Sequence, residues 1–392
     1  MDGRFARGDT VNLELTEEQK LLERTVREFA EAEVKPLAAE LDETGRFPRE
    51  TLRKAAELGL TGISVPEEWG GAGMDHMCYA IVMEEIARVC ASTSVILSVQ
   101  NSLYCGALEK FGNDEQKKKF LVPFARGEKI GCYALTEPQA GSNAAALATK
   151  AVRKGDRYVV NGAKAWITNG GAADAGIIFV NTQPEKGEKG ITAVVIEKGT
   201  PGFAIGKEEK KMGIHATACV ELSFTDCEVP AENRLGNEGD GYKIALTTLD
   251  SGRIGIASQA TGIAQGAFEA ALAYAKQRQA FGHPIAEFQA IQFMLADMAT
   301  EIDAARLLAR RAAWKQDTGA RFSMEAAVAK LFASEMATRV AHKAIQIHGG
   351  NGYSREYPVE RAYRDARITE IYEGTSEIQR LVIAGWVLKS FS

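Results

Sequence analysis

The sequence of 392 residues lacks the patterns that identify several large classes of protein. No apolar stretch is long enough to cross a bilayer, and at a net charge of −5 no long basic run offers a surface to nucleic acid or anionic membrane. The six cysteines show no C-x-x-C spacing and the five histidines form no H-E-x-x-H pair, which indicates reduced thiols and no metal site. The G-x-G-x-x-G fingerprint of a Rossmann domain is also missing.

The composition is that of an ordinary soluble globular protein. Of the residues, 45% are apolar and 25% are charged, and the length favours two or three domains. The first seven residues contain no hydrophobic signal region and do not resemble a transit peptide. We therefore expect a cytoplasmic protein if the chain is bacterial, or a mitochondrial-matrix protein if it is a processed eukaryotic form.

The first third of the chain favours helices. Thr16-Glu17-Glu18-Gln19 is a capping box that predicts the start of a helix. Pro36 is expected to kink or end that helix. Residues 77–89 and 92–111 are apolar on nearly all sides, as in buried helices. These features predict a helical domain over residues 1–126.

The rest of the chain changes character twice. Short β-type runs lie near 131–136, 158–160, 176–180, 191–196 and 220–224, with turns predicted at Asn161-Gly162, 188–190 and 200–202. Alanine-rich helices are predicted near 242–276, 287–316 and 323–347 and after Thr375. The fold class is therefore mainly α with an inserted β domain at 127–237 and a helical bundle at 238–392, whose alanine faces also suit a subunit interface.

An acid between an aromatic residue and a glycine, shortly before the last helix, is the first candidate for chemistry. Glu373 follows Tyr372 and precedes Gly374. A glycine at this point lets the backbone approach a ligand closely, and the acid can be directed into a cleft. The local pattern leaves open the alternative of a first-turn acid stabilised by the helix dipole.

Two further stretches combine polar groups with a strand. Thr136 and Ser142 follow a predicted strand, where hydroxyl and backbone N–H groups can face an anionic or carbonyl ligand, although a polar inter-strand loop is the alternative. Trp166 precedes Thr168 by two residues on a predicted strand, so alternation would place both on one face. That pair suits a planar ring edged by acceptors; a core tryptophan with a strand threonine is the alternative.

These stretches, with several others, resemble the acyl-CoA dehydrogenase family. The motifs are L-T-E-P-Q-A-G-S-N at 135–143, L-D-S-G-R-I-G at 249–255, R-Q-A-F-G at 278–282, Q-I-H-G-G-N-G-Y at 346–353 and Y-E-G-T at 372–375. Their order, from about residue 15 to the C-terminus, makes the resemblance specific, and residues 98–104 and 364–372 are most similar to short-chain (butyryl-CoA) members. The resemblance implies a β-barrel-like middle domain and a C-terminal four-helix bundle.

The resemblance implies that FAD is held without a Rossmann domain and across a subunit interface. Along the isoalloxazine and its phosphates it places Tyr133, Leu135, Thr136, Ser142, Trp166, Ile167 and Thr168. For the adenosine diphosphate half of a neighbour's cofactor it implies Arg278, Phe281, Gln289, Gln346, Gly349 and Gly350, with Thr375 and Glu377 closing the site. A guanidinium such as that of Arg278 forks well onto pyrophosphate oxygens.

The resemblance also assigns the chemistry. Glu373 is implied as the base that removes the α-proton of an acyl-CoA while a β-hydride moves to flavin N5. Substrate contacts are implied for Ser142, Asp250, Gly252, Arg253, Tyr372 and Gly374. Some members carry the base just before the arginine of L-D-x-x-R, but Gly252 occupies that position here and cannot act as a base. Asn143 replaces the family's usual aspartate, which puts one hydrogen bond in doubt.

The function implied is oxidation of a short-chain acyl-CoA to its trans-2-enoyl form in fatty acid β-oxidation. The electron acceptor would be an electron-transferring flavoprotein, and the assembly a homo-oligomer, expected to be a tetramer. The alternatives are the same chemistry on branched or cyclic acyl groups, a non-catalytic flavin- or CoA-binding scaffold, and an acyl-CoA oxidase. Residues near 94–100 are expected to form part of the acyl-pocket floor.

Overall fold

The structure, a computed structural model, describes residues 13–390, so the expectation about the first seven residues lies outside the described part. The N-terminal part is helical. Its helices are α1 (Glu17–Phe29), α2 (Ala38–Thr44), α3 (Arg49–Glu57), α4 (His76–Ala87), α5 (Ala91–Ser98), α6 (Gly106–Phe111), α7 (Asp114–Gln116) and α8 (Val122–Ala125).

The predicted start and bend of the first helix are both present. The Thr16 hydroxyl accepts from the backbone N–H of Gln19, and the Gln19 side chain accepts from the backbone N–H of Thr16. Pro36 lies in the 3-10 turn Lys35–Leu37, which joins a π-helical turn after α1 to α2. Because proline cannot donate an intrahelical hydrogen bond, the regular helix is interrupted there.

The two apolar stretches form the buried centre of this part. Every residue from 77 to 87 is buried in α4, and so is every residue from 91 to 105. The second stretch is not one regular helix, since residues Val99–Cys105 form a π-helical turn between α5 and α6. These buried helices face α9 of the C-terminal part and thereby form one wall of the candidate site.

The middle part is a mostly antiparallel sheet. Its strands are β1 (Gly131–Ala134), β2 (Lys150–Lys154), β3 (Arg157–Ile167), β4 (Ala175–Asn181), β5 (Ile191–Glu197), β6 (Phe203–Glu208), β7 (Val220–Pro230) and β8 (Arg234–Leu235). They pair in the order β6-β7-β3-β2-β4-β5-β8, and β1 joins β4 in parallel. One residue pair, Lys150 with Asn181, connects β2 to β4. Buried side chains on either side of that connection, from β3 and β7 and from β4 and β5, share one core, in the barrel-like manner expected.

One predicted turn in this sheet is wrong. Asn161 and Gly162 do not end a strand but continue β3, where its pairing with β7 shifts register between Val160 and Gly162. Gly162 has φ +147° and lies so close to Thr149 that a Cβ would be 2.6 Å from that residue's backbone. The Asn-Gly pair therefore marks a β-bulge that bends a long strand.

The C-terminal part is built from long helices. They are α9 (Gly241–Gln277), α10 (Gln289–Asp317), α11 (Ser323–His348), α12 (Pro358–Ile368) and α13 (Ser376–Ser390), and the short strands β9 (Gln279–Ala280) and β10 (His283–Pro284) separate α9 from α10. Helices α9, α10 and α11 pack on one another through alanine faces, and α12 and α13 pack on α11. Within this group, α12 was missed by the sequence analysis.

The charged segment before Glu373 forms part of α12, and some of its residues are buried. Asp365 and Ala366 are buried, and the Asp365 carboxylate accepts from the backbone N–H of Ile214 at 2.6 Å. Arg364 forms a bidentate contact with Asp42 at 2.6 and 3.0 Å. These contacts connect α12 to both other parts of the chain, which fixes the start of the Glu373 segment.

Three structural observations concern the features that the sequence lacks. All six cysteines are buried and none forms a disulfide. None of the helices between residues 13 and 390 combines the length and apolar character that a membrane span needs. Within the same residues, no three His, Cys, Asp or Glu side chains lie together as a metal site would require.

The close packing of α4 on α9 gives a stability prediction. A Cβ on Gly262 would lie 2.1 Å from the Glu84 carbonyl oxygen and 2.8 Å from the Ala87 Cβ. Alanine improves helix propensity by about 1 kcal/mol, whereas overpacking costs about 1–3 kcal/mol. Because the clash is with backbone, we expect Gly262→Ala to lower the unfolding midpoint by a few degrees in a thermal melt.

Gly385→Ala on α13 is the matched control, because a Cβ there meets nothing within 4 Å. Helix propensity alone should then raise the midpoint slightly. If Gly262→Ala raised the midpoint as much as Gly385→Ala does, the contact between α4 and α9 would be looser than described.

Candidate active site

Glu373 lies in the connection between α12 and α13, three residues before the last helix begins. Glu373 and Gly374 have φ values of +52° and +93°, both in the left-handed region. The backbone N–H of Ser376 closes the connection on the Glu370 carbonyl at 3.0 Å. The interpretation of Glu373 as a first-turn acid is therefore wrong, because a separate turn directs it away from the helix.

The carboxyl group of Glu373 is buried against α9. Its Oε2 is shielded from solvent and has no hydrogen-bond partner. A Cβ on Gly252 would lie only 2.1 Å from that oxygen, so glycine is required beside the carboxylate. Burial raises the pKa of the Glu373 carboxyl to about 7, against the opposing charges of Lys330 and Arg253.

A large cavity reaches the α9 residues on either side of Gly252, although Glu373 itself does not line it. Its volume is about 1310 Å³, and both Ser251 and Arg253, the neighbours of Gly252, line it. Arg253 pairs with Asp250 at 2.5 Å, while its Nε is buried without a partner. The predicted substrate residues Asp250, Gly252 and Arg253 are thus brought together with Glu373.

The loop after β1 is anchored by a buried ion pair. Lys164 Nζ lies 2.7 Å from Glu137 Oε1 and donates to the Leu135 carbonyl at 3.2 Å, with both charged side chains essentially inaccessible. Glu137 also accepts from the backbone N–H groups of Ala148 and Thr149. In the described part of the chain, no acceptor is used by the backbone N–H groups of residues 135, 136 and 142. The loop therefore offers free donors on a rigid base.

Trp166 and Thr168 do not share a strand face as predicted. Trp166 has φ +61° at a second register shift of β3, and Thr168 lies in the turn after the strand ends. The Trp166 side chain is 57% exposed, which excludes a core tryptophan, while Ile167 beside it is buried. The bulge therefore directs a flat aromatic surface outward.

Tyr133 connects the β1 loop to Glu373. It is buried on β1, packs against Phe179 with ring centroids 4.9 Å apart, and its hydroxyl faces α9. Burial, with the nearby Glu373 charge, raises its phenol pKa well above 10. Ser142 and Asn143 are exposed at the far side of the same loop, and the Asn143 side chain makes no hydrogen bond with the described residues.

A second group of predicted cofactor residues lies at the opposite end of α9. Arg278, Phe281, Gln289, Gln346, Gly349 and Gly350 are all exposed. Phe281 is 94% exposed with φ +53°, and Arg278 forms no ion pair with a described residue. Arg253 and Arg278 are separated by 25 helical residues, or about 37 Å. This group therefore lies far along the helix from the Glu373 turn of its own chain.

The remaining predicted residues lie near Glu373. The Thr375 hydroxyl faces the first backbone N–H groups of α13, whereas Glu377 is exposed on the first turn. The Tyr372 hydroxyl donates to Gln259 Oε1 on α9. Neither Thr375 nor Glu377 lies with the Arg278 group.

Two residues that the sequence analysis missed contact the Glu373 turn. Lys330 on α11 donates to the Gly374 carbonyl at 2.8 Å, and Gln379 Nε2 donates to the same oxygen at 2.9 Å. Lys330 was detectable, since it is a lone charge on the alanine face that includes Ala326 and Ala333. Gln379 has no comparable signal in the sequence.

The fold and the site together define a class: a β domain between two helical domains, with a buried carboxylate at a large cavity. Models of the acyl-CoA dehydrogenase N-terminal, middle and C-terminal domains match residues 16–128, 132–227 and 239–388. The chain belongs to the acyl-CoA dehydrogenase family, a family of flavoprotein oxidoreductases, as the sequence resemblance indicated.

Individual relatives agree over nearly the whole chain. Short-chain specific acyl-CoA dehydrogenase from Rattus norvegicus mitochondria is 54% identical over 380 residues, covering 97% of this chain and 92% of the relative. Butyryl-CoA dehydrogenase from Megasphaera elsdenii has a TM-score of 0.95 at 47% identity, covering 96% and 100%. A chain in the structure of the electron transferring flavoprotein of Acidaminococcus fermentans also has a TM-score of 0.95 at 47% identity, covering 97% and 100%.

The buried ion pair under the β1 loop gives a second prediction. Lys164→Met leaves the Glu137 carboxylate buried without its cation, which typically costs about 3–5 kcal/mol. We expect a marked drop in the unfolding midpoint, measured by thermal melting, and partial recovery in the double variant Lys164→Met/Glu137→Gln. A double variant less stable than the single one would contradict the pairing.

The matched control is Lys118→Met, which removes an exposed lysine paired with Glu115 at 2.8 Å. Exposed ion pairs contribute little to stability, so this variant should melt close to the parent chain.

Proposed function

We propose that this chain catalyses FAD-dependent α,β-dehydrogenation of a short-chain acyl-CoA thioester to the trans-2-enoyl-CoA. Glu373 removes the α-proton, and the electrons pass to an electron-transferring flavoprotein. The observation that carries the proposal is the buried Glu373 carboxylate, which lacks a hydrogen-bond partner and lies beside a large cavity.

The environment of Glu373 suits a base that must accept a proton from carbon. A solvated glutamate has a pKa of about 4.3 and is a weak base. Burial raises the Glu373 pKa to about 7, so the group is still ionised in much of the population near neutrality yet holds a proton more strongly. Because Oε2 has no partner in the protein, no hydrogen bond has to break before it takes a proton.

The same residue supplies a donor for the charge that develops on the substrate. Removal of the α-proton places negative charge on the thioester oxygen, which needs hydrogen-bond donors already in place. In the described structure, the backbone N–H of Glu373 donates to no protein acceptor. The left-handed turn thus presents a free N–H and the carboxylate from one residue, and Gly374 adds no side chain that would block the approach.

The proposed cofactor fits the residues that the fold brings together. The exposed face of Trp166, the free N–H groups at 135, 136 and 142, and Tyr133 would hold the flavin and its phosphates. When bound, FAD supplies the acceptor for the β-hydride. The residues of this chain bind it, exclude water and keep the Glu373 carboxylate in place.

The position of the Arg278 group supports an oligomer. This exposed group lies about 37 Å along α9 from Arg253, which is beside Glu373, so a neighbouring chain is the proposed source of these residues at each site. The exposed Phe281 ring and Phe293 are apolar surfaces that such a contact would cover. We propose a homotetramer, in which each site is completed by a neighbour.

The cavity suits the CoA part of the substrate. Besides Arg253, which is paired with Asp250, the cations Lys110, Lys189, Lys243 and Arg321 line it and can face phosphate groups. Acidic Glu109 and Glu188 also line the cavity, so its charge is mixed rather than uniformly positive.

Hydrogen bonds join the elements around Glu373. The hydrogen bond from Tyr372 to Gln259 joins the Glu373 segment to α9, and Tyr79 OH lies 2.9 Å from Ser98 Oγ across the α4–α5 wall. The Gln100 side chain, expected in the pocket floor, instead binds the backbone of Phe124 and Gly131. A short acyl chain is supported by the relatives, which include short-chain specific and butyryl-CoA dehydrogenases.

The partner and the location are proposed from the relatives. The similar Acidaminococcus fermentans chain occurs in a structure of an electron transferring flavoprotein. We propose the same type of acceptor here, in the cytoplasm of a bacterial cell or in the mitochondrial matrix.

Replacing the base tests the proposal directly. Glu373→Gln keeps the side-chain size but cannot accept the proton, so anaerobic flavin bleaching by butyryl-CoA should fall by at least about 10²–10⁴-fold. Flavin content and butyryl-CoA binding, measured by absorbance and calorimetry, should persist.

Glu57→Gln, an exposed acid on α3, serves as the control and should bleach at the parent rate. Bleaching by Glu373→Gln at that same rate would show that another group is the base. A panel of straight, branched and cyclic acyl-CoAs on the parent enzyme then ranks the substrates.

The Arg278 group gives a prediction about cofactor retention. Arg278→Ala removes a guanidinium that would fork onto pyrophosphate, where charged hydrogen bonds contribute about 1.5–3 kcal/mol. Flavin content after gel filtration should therefore fall relative to the parent. Arg157→Ala, an exposed arginine on β3, should retain its flavin; equal retention by both variants would remove Arg278 from the cofactor site.

A further inference from the structure

A fully buried lysine lies behind the Glu373 turn, outside the cavity wall. Lys330 shares the α11 face of Ala326, Ala333 and Ala337, all inaccessible to solvent. Burying an ammonium group costs several kcal/mol unless hydrogen bonds and opposite charge compensate it. An ammonium has three donors, and within the described residues Lys330 uses one, on the Gly374 carbonyl at 2.8 Å.

Lys330 and Gln379 both donate hydrogen bonds to carbonyl groups of the Glu373 turn, and we call these contacts the clamp. Gln379, also fully buried, donates to the carbonyls of Glu373 at 3.2 Å and Gly374 at 2.9 Å. A left-handed conformation costs a non-glycine residue about 1–2 kcal/mol, so Glu373 needs such contacts to keep φ at +52°. The clamp compensates that cost on the side away from the substrate.

The Lys330 ammonium acts on the Glu373 carboxylate through its charge, but the two groups form no ion pair. None of the ion pairs among the described residues joins Lys330 to Glu373 within 4.0 Å. Because the Gly374 carbonyl holds the ammonium, the carboxylate feels its positive charge but keeps Oε2 free. A direct salt bridge would occupy the oxygen that must take the proton.

We propose that Lys330 is the positioning residue for the base. Its bond to the Gly374 carbonyl holds the Glu373 turn, and its positive charge keeps the Glu373 carboxylate ionised without binding it. This inference rests on the proposed role of Glu373 and adds the reason why a buried carboxylate at this point carries its charge near neutral pH.

The other charged groups around the pair do not replace Lys330. Arg253 on α9 is the second cation facing Glu373, and it is already paired with Asp250. Glu370 and Glu377 face Lys330 from either side of the turn and favour its charged form. The phenols of Tyr79, Tyr133 and Tyr372 also surround the carboxylate, and burial raises the pKa of each, so they stay neutral.

The test follows removal of the α-proton directly. Holoenzyme is incubated anaerobically with butyryl-CoA in D2O without an electron acceptor, and deuterium at the α-carbon is followed by mass spectrometry across pH. In the parent enzyme, exchange should rise with pH through about 7, because the base must be ionised and the pKa of Glu373 is raised to about 7.

Lys330→Gln keeps a donor for the Gly374 carbonyl and removes the charge. Loss of a nearby positive charge favours protonated Glu373, so the midpoint should move upward by roughly one pH unit. Exchange at pH 6 should fall about tenfold, and exchange at high pH should approach the parent value. Lys330→Met removes both donor and charge, so its high-pH plateau should be lower as well.

Lys343→Gln on the same helix is the control, since Lys343 pairs with Asp297 and Glu301 on α10. Its midpoint should not move. An unchanged midpoint in Lys330→Gln, together with lost exchange in Glu373→Gln, overturns the role of Lys330 alone. Continued exchange in Glu373→Gln overturns the proposed base itself.

If neither Lys330 variant folds, infrared titration of the parent enzyme tests whether the charge of Lys330 acts on the Glu373 carboxyl. The Glu373 carboxyl band is identified by its loss in Glu373→Gln. Burial lowers the pKa of Lys330 to about 8, so loss of its proton should perturb the Glu373 band in a second step above the first. A single step near pH 7 overturns the proposal.

Discussion

The Oε2 atom of the Glu373 carboxylate is shielded from solvent, and the surrounding residues offset part of the cost of that burial. Desolvation raises its proton affinity, while Lys330 and Arg253 oppose the effect from two different helices. Gly252 provides the space for Oε2, and any Cβ there would collide with it. A base of this kind depends on balance, since full solvation would make it weak and a direct salt bridge would neutralise it.

Three side chains of the candidate site lie where regular secondary structure is interrupted. Trp166, Phe281 and Glu373 all have positive φ, and each directs its side chain where a strand or helix could not. Two buried lysines support such points in similar ways. Lys164 donates to the Leu135 carbonyl and Lys330 to the Gly374 carbonyl, so each ammonium holds the backbone of a loop in place. The hydrogen bonds that the two ammonium groups donate offset part of the cost of burying their charges.

The length of α9 separates two roles along one helix. Its first half carries Asp250, Gly252 and Arg253 beside the cavity, and the Arg278 group follows its far end. A rigid helix keeps the two roles about 37 Å apart, which no rearrangement of side chains can shorten. Within one chain, α9 therefore keeps the exposed Arg278 group well away from the cavity.

The sequence by itself determined the order of helical, β and helical parts, the capped first helix, the family and the candidate base, because periodicity, capping residues and motifs are local signals. The sequence wrongly predicted a turn at Asn161-Gly162 and a shared strand face for Trp166 and Thr168. Both errors arise because β-bulges depend on how β3 pairs with the distant strand β7. The sequence could not show that Lys330, 43 residues earlier in the chain, reaches the Glu373 turn. Burial and charge coupling of that kind exist only once separate helices pack together, so tertiary structure decided the environment of Glu373.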